Sequence, residues 1–175
     1  MPDTDTDIEK SPTSGTGIDV PLSQETGIRG INYIIAIGID KYKVNSLNLS
    51  CCEKDCNDLI ALLENEYENY KLFKKIVNEE ATKQNIIDCI QSFYNSELNK
   101  PLNNLILYYS GHGDFIQTPN RRVGAIVPHE FDGNKLKQNQ YIRFNHLLDE
   151  LEFLNTRHLV VIIDSCYSGK LLGND

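Results

Sequence analysis

A histidine and a cysteine stand out in this sequence because each follows a short apolar run and is flanked by small, turn-forming residues. His112 lies in the segment SGHGD, and Cys166 lies in the segment DSCYSG. A cysteine attacks a peptide carbonyl as a thiolate, and it needs a partner that takes its proton and later protonates the leaving amine. His112 and Cys166 can supply both functions. The backbone N–H groups of Gly113 and Cys166 are candidate donors to the oxyanion that forms during the attack.

Each of these residues, taken alone, has a plainer explanation. A cysteine at a strand end is often a packed thiol, and a histidine between glycines can be a turn residue. The two together, at the ends of two apolar runs, favour a catalytic pair. The other three histidines are expected to be structural or surface residues, because they fall in a loop, on a helix and before a strand: His129, His146 and His158.

Three of the five cysteines are crowded in the chain, which raises the question of a metal site: Cys51, Cys52 and Cys56. A structural zinc site takes four ligands, usually with a spaced second pair. No second pair of cysteines or histidines lies nearby in the sequence. We therefore expect these cysteines to belong to the start of a helix, and we expect no metal site.

Short apolar runs separated by helical patterns organise the chain. The runs at 33–39, 105–109 and 159–163 are apolar on both faces, as in buried strands of a parallel sheet, and 72–77 fits a fourth strand. Three segments between these runs have helical periodicity. The first begins near Ser50, which forms a capping box with Glu53, and the second begins after Thr82, which can act as its cap. The third covers 144–154. Alternating strands and helices predict a layered α/β fold with a mostly parallel sheet.

The predicted sheet brings the candidate residues together. Ligands bind at the carboxyl ends of the strands in such sheets. His112 follows the strand at 105–109, Cys166 and Asp164 follow the strand at 159–163, and Asp40 follows the first strand. The polar, turn-rich segment 115–140 is expected to be a loop excursion or a small hairpin near this site.

Composition excludes some classes of function. A formal net charge of -8 argues against nucleic acid or an anionic membrane surface as the main partner. No apolar stretch is long enough to span a membrane, and the N-terminus lacks the pattern of a signal peptide. An odd number of scattered cysteines indicates a reducing, cytoplasmic compartment. Residues 1–28 are rich in Asp, Thr, Ser, Pro and Gly and predict a flexible leader, which leaves 29–175 as the folded domain.

The motifs around His112 and Cys166 resemble the two active-site motifs of the caspase and metacaspase superfamily. The histidine precedes the cysteine by about 50 residues, as in caspases. NYIIAIGIDKY resembles the family's first strand, and LSCCEKDCNDLIALL resembles its first helix, so that the resemblance covers 32–169. It implies a caspase-like three-layer α/β/α sandwich and a cysteine endopeptidase with a His112/Cys166 dyad.

The resemblance also implies a specificity. Animal caspases carry a Gln-Ala-Cys motif and bind aspartate through arginines, whereas the segment DSC here resembles metacaspases and their bacterial relatives. In that branch an acidic pocket directs cleavage after Arg or Lys. The matching positions are Asp55 and Asp164, with Ser110 and Cys52 lining the pocket. From the residues alone, Asp55 is better explained as an acid favoured in a first helical turn, whereas Asp164 ends an apolar strand and needs a partner.

Two features depart from the family pattern. Some metacaspases bind calcium through aspartates, one of them shortly after the cysteine. Here 170–173 reads KLLG, which argues against calcium dependence, and no cofactor is expected. The family fold also continues after the cysteine with a helix and further strands, often as a separate small subunit. The resemblance therefore implies a large-subunit domain with two partners: a basic peptide or protein substrate, and a small subunit or downstream segment.

A second class of function stays open at this stage. A catalytically silent caspase-like domain could act in assembly or signalling. Such a domain would be free to lose either dyad residue, and this chain has both, which favours the enzyme.

Overall fold

The computed structural model describes residues 30–166. The predicted leader at 1–28 and the stretch at 170–173 lie outside the described residues. In chain order the strands are β1 (Asn32–Gly38), β2 (Tyr70–Val77), β3 (Asn104–Ser110), β4 (Gly113–Gln117), β5 (Arg122–Ile126), β6 (Ile142–Arg143) and β7 (His158–Asp164). The helices are α1 (Cys52–Glu66), α2 (Lys83–Tyr94) and α3 (Phe144–Leu151). None of the helices within 30–166 is long and apolar enough to cross a membrane.

The main sheet has four parallel strands in the order β2-β1-β3-β7. Alternate residues of β1 face opposite sides, so each face of the sheet has its own apolar cluster. Ile34 and Ala36 pack with Cys56 and Ile60 of α1. The other face packs against α2 and α3 and forms the larger cluster. These layers confirm the predicted α/β fold with a central parallel sheet and helices on both faces.

A glycine lets α1 approach β1 closely. A Cβ atom on Gly38 would lie 2.6 Å from the carbonyl oxygen of Cys52 and 2.8 Å from the sulfur of Cys56. Any larger residue at this position would push the start of α1 away from the end of β1. The first turn of this helix is therefore held close to the carboxyl ends of the strands.

The excursion after His112 is a small antiparallel sheet rather than an open loop. Strands β4 and β5 form a hairpin, and β6 pairs with β5. Ile116, Ala125 and Ile126 are buried and join the larger cluster. The predicted hairpin is confirmed, and its apolar side chains also contribute to the core.

Two expectations about the elements are wrong. Strand β7 is not buried: it is the edge strand of the described sheet, and Leu159, Val160 and Ile162 are 38%, 47% and 39% exposed, because β7 has a neighbour on one side only. The predicted capping box at Ser50 does not form either. Helix α1 begins at Cys52, and the side chain of Cys51 at the capping position makes no capping hydrogen bond to the helix. The predicted cap at Thr82 is confirmed, since its hydroxyl accepts the N–H of Asn85 at 3.2 Å.

Candidate active site

The carboxyl ends of three parallel strands meet at one edge of the sheet. Gly38 pairs in register with Ser110, and Ser110 pairs with Asp164. The N–H of Gly111 then donates to the carbonyl oxygen of Asp164 at 3.3 Å, which ties the chain after β3 to the end of β7. The residues that follow these strands are thereby brought to one place.

A cavity of about 550 Å³ opens at this edge. It brings together six of the seven site residues predicted from the sequence, and the seventh, Gly113, directly follows His112 in the chain. The lining residues are Leu49, Ser50, Cys51, Cys52, Asp55, Ser110, Gly111, His112, Asp164, Ser165 and Cys166. Asp40, the remaining polar residue at a strand end, is buried beside the cavity and is not part of its lining.

The imidazole of His112 is fixed by a backbone contact that the sequence does not reveal. Its Nε2 atom lies 2.8 Å from the carbonyl oxygen of Leu47. A carbonyl oxygen only accepts hydrogen bonds, so Nε2 carries the proton in this contact. In the neutral ring Nδ1 is therefore the unprotonated nitrogen, and it is the atom able to take a proton from a thiol.

Two buried tyrosines hold the main chain of His112. The N–H of His112 donates to the hydroxyl of Tyr42 at 2.8 Å, and its carbonyl accepts from the hydroxyl of Tyr109 at 2.8 Å and from the N–H of Val127 at 3.0 Å. The Tyr42 ring also lies against the imidazole, with centroids 5.0 Å apart. Burial raises the pKa of Tyr42 to about 12, so this hydroxyl stays neutral. No motif in the sequence marks Tyr42 as part of the site, although it lies shortly after β1 in the segment GIDKY.

Glycine at position 113 allows the Cys166 segment to lie alongside His112. A Cβ atom at this position would lie 2.0 Å from the carbonyl oxygen of Cys166 and 2.8 Å from the hydroxyl of Ser165. The two residues predicted to donate to the oxyanion are thus neighbours in space. Any side chain at position 113 would force the backbone of Cys166 to move.

The cysteines near the cavity differ in exposure. Cys166 and Cys51 are exposed and both line the cavity, whereas Cys52 and Cys56 are buried. Burial raises the pKa of the Cys52 thiol; a hydrogen bond with Ser110 opposes the rise, and the charge of Asp40 adds to it. Burial also raises the pKa of Cys56 to about 12. The buried thiols are therefore poor sources of thiolate near neutral pH. From the sequence, Cys51 is expected only at the start of a helix and not in the site.

Two carboxylates give the cavity an acidic wall. Asp55 is half-buried in the first turn of α1, and Asp164 is exposed at the end of β7. Within the described part of the chain neither forms a salt bridge. Asp114 behaves differently, since its carboxylate pairs with Lys135 at 2.9 Å and accepts the hydroxyl of Tyr141 at 3.1 Å. The carboxylates at the cavity thus remain available to a cationic ligand.

Residues 31–175 match the family model for the caspase domain, Peptidase_C14. The chain belongs to the caspase-domain family. This confirms the resemblance seen in the two motifs and supports a cysteine-peptidase type of function.

Among solved structures, the fold is similar to that of protein GSU0716 from Geobacter sulfurreducens, with a TM-score of 0.62 and 20% sequence identity. The alignment covers 81% of this chain and 53% of that protein, so the caspase-domain chain spans about half the length of this relative. At this identity the likeness concerns the fold alone. No curated protein matches the chain.

Proposed function

We propose that this caspase-domain protein is a cysteine endopeptidase that cleaves peptide bonds after arginine or lysine. The observation that carries the proposal is the shared cavity: His112 and Cys166 line it together with the carboxylates of Asp55 and Asp164. The same cavity thus holds a candidate nucleophile, a candidate base and negative charge. The proposed reaction requires no metal or cofactor, so a chelator should leave the rate unchanged.

The proposed reaction begins with proton transfer from the Cys166 thiol to Nδ1 of His112. The thiolate attacks the carbonyl carbon of the scissile bond, and the backbone N–H groups of Gly113 and Cys166 stabilise the oxyanion. Nδ1–H of His112 then protonates the departing amine, and an acyl group remains on the sulfur. Water attacks this thioester with His112 as base, which releases the acid and restores the thiol. The contact between Nε2 and Leu47 keeps Nδ1 free for each transfer.

The acidic wall supports the proposed specificity. Asp55 and Asp164 offer two carboxylates to the side chain that precedes the scissile bond, and the buried Ser110 and Cys52 line the same cavity. An arginine can donate pairs of parallel hydrogen bonds to carboxylates, whereas a lysine provides one point of charge. We expect both residues to be accepted, with arginine favoured.

We further propose that a downstream segment or a second polypeptide covers β7. The apolar residues Leu159, Val160 and Ile162 are exposed on this edge strand, and such an edge promotes aggregation when it stays uncovered. Co-expression with any downstream polypeptide of the same gene should raise activity and yield a defined assembly. Full activity as a monomer without it would contradict the proposal.

An arginyl ketone that alkylates thiols tests the proposed activity without requiring a known substrate. The enzyme should acquire one adduct, at Cys166, and the Cys166→Ala variant should acquire none. The matched control is the same reagent with citrulline, the neutral isostere of arginine, which should react much more slowly. A catalytically silent domain used in assembly would show no such preference. Its Cys166 would be alkylated at the rate of an ordinary exposed cysteine.

A further inference from the structure

The first turn of α1 is capped by a residue outside the helix. The two carboxylate oxygens of Asp40, which lies just beyond β1, accept the N–H groups of Cys52 at 2.9 Å and Glu53 at 3.0 Å. Asp40 is 7% exposed, and a buried carboxylate costs free energy unless such donors satisfy it. The positive end of the helix dipole supplies a further favourable interaction. This single side chain therefore fixes the start of α1 against the end of β1.

A second residue braces the cap. The side-chain oxygen of Asn78 accepts the N–H groups of Asp40 and Lys41, each at 3.0 Å, and its amide nitrogen donates to the carboxylate of Glu53 at 2.7 Å. Asn78 follows β2 and has a φ of 52°, a conformation that asparagine tolerates better than most residues. The ends of β1 and β2 and the start of α1 are thus joined by one hydrogen-bonded network.

This network is bonded to the helix turn that carries one carboxylate of the acidic wall, Asp55. The N–H of Cys52 donates to the Asp40 carboxylate. Asp55 lies in the same first turn of α1, and its N–H donates to the carbonyl oxygen of Cys51 at 2.8 Å. Both side chains line the cavity, although Asp40 and Asn78 do not. A shift of the helix start would move Asp55 relative to Asp164, which is on a different element. Recognition by paired carboxylates is sensitive to displacements well below 1 Å, because the hydrogen bonds require aligned geometry.

We infer that Asp40, braced by Asn78, is a positioning residue that sets the selectivity of this cavity for a basic side chain. The inference rests on the proposed function. Asp40 acts through the placement of Asp55 and not by contact with the substrate. Removing the cap should therefore weaken discrimination between charged and neutral side chains while leaving the reactivity of Cys166 intact.

The test uses the full-length protein and four forms of it: wild type, Asp40→Asn, Asn78→Gly and Asp58→Asn. Asp40→Asn keeps the size of the side chain and loses one acceptor, and Asn78→Gly removes the brace while tolerating the positive φ. Asp58→Asn is the matched control, since it removes an exposed acid of the same helix that pairs with Lys54. Rates of alkylation of Cys166 are measured by mass spectrometry with an arginyl ketone, with its citrulline isostere and with iodoacetamide.

The ratio of the arginyl rate to the citrullinyl rate should fall about tenfold in Asp40→Asn and in the same direction in Asn78→Gly. It should be unchanged in Asp58→Asn, and iodoacetamide should react equally with all four forms. An Asp40→Asn variant that folds and keeps the wild-type ratio would overturn this inference but not the proposed function. The same would follow if the rate with iodoacetamide fell by as much as the rate with the arginyl ketone, because Cys166 itself would then have lost reactivity. Equal rates for the two ketones in wild type would overturn the proposed specificity, and the inference with it. If Asp40→Asn fails to fold, the ratio for Asn78→Gly decides.

Discussion

The carbonyl oxygen of Leu47 and the Nε2 atom of His112 lie 2.8 Å apart, and this contact determines which imidazole nitrogen is available as a base. The carbonyl belongs to the backbone between β1 and α1, so no substitution of the Leu47 side chain would remove it. Its effect must be tested through the residues that keep His112 in place. Tyr42 is the most direct of these.

We predict that Tyr42→Phe lowers kcat about fivefold and leaves KM nearly unchanged, as expected for the loss of one hydrogen bond of about 1 kcal/mol. Phenylalanine keeps the ring against the imidazole but removes the hydroxyl that accepts the N–H of His112. The kinetic constants are measured with a fluorogenic arginyl peptide. Tyr67→Phe, on an exposed tyrosine outside the cavity lining, is the control and should behave as wild type. An unchanged kcat for Tyr42→Phe would rule out the positioning role.

We predict that Gly113→Ala loses nearly all activity while the fold is retained. The added methyl group would lie 2.0 Å from the carbonyl oxygen of Cys166, so the backbone of Cys166 must move. This backbone carries the thiol and one of the two proposed oxyanion donors. Activity is measured together with the melting temperature, which reports whether the fold survives. Wild-type turnover in this variant would show that the Cys166 segment is not held where the structure has it.

The acidic wall should determine substrate preference. We predict that Asp55→Ala raises KM for arginyl peptides by at least about tenfold, since a hydrogen bond to a charged group contributes about 1.5–3 kcal/mol. The fold should be unaffected, because Asp55 is half-buried and forms no salt bridge within the described residues. Asp58→Asn is again the control on the same helix. Preferential cleavage after aspartate in a peptide library would refute the assignment of Asp55 and Asp164.

Much of this site follows from the sequence because its residues lie directly after strands. Apolar runs locate the strands, and in a parallel sheet their carboxyl ends share one edge, so His112, Cys166 and Asp164 had to be close. The family resemblance was needed for Asp55, because an acid in a first helical turn has an ordinary explanation.

Other features depend on contacts between distant parts of the chain. The cap of α1 was predicted at Ser50 from local spacing, whereas Asp40 supplies it from the end of β1. The contact of Leu47 with His112 involves a backbone atom, so no residue type marks it. The exposure of β7 could not be inferred from its composition, because an apolar run describes the strand and not the number of its neighbours.

Asp114 should make stability depend on pH. Burial by itself raises the pKa of this carboxyl, but the hydrogen bonds from Lys135 and from the N–H of Phe115 outweigh it and hold the pKa below the ordinary value of 3.8. A lowered pKa contributes stability that is present above the ordinary value and is lost as the pH falls through the folded-state value. We therefore predict that Asp114→Asn lowers the melting temperature at pH 7 and that the difference from wild type narrows below about pH 4. A difference that stays constant down to pH 2 would contradict this.

The central claim is that Cys166 is the nucleophile and His112 its base in cleavage after a basic residue. The most direct measurement is the kcat/KM of the full-length protein on an arginyl peptide, with Cys166→Ala and His112→Ala prepared in parallel. We predict that Cys166→Ala is inactive and that His112→Ala loses several orders of magnitude, because members of a catalytic pair act as a unit. Near-wild-type turnover by purified Cys166→Ala would contradict the account.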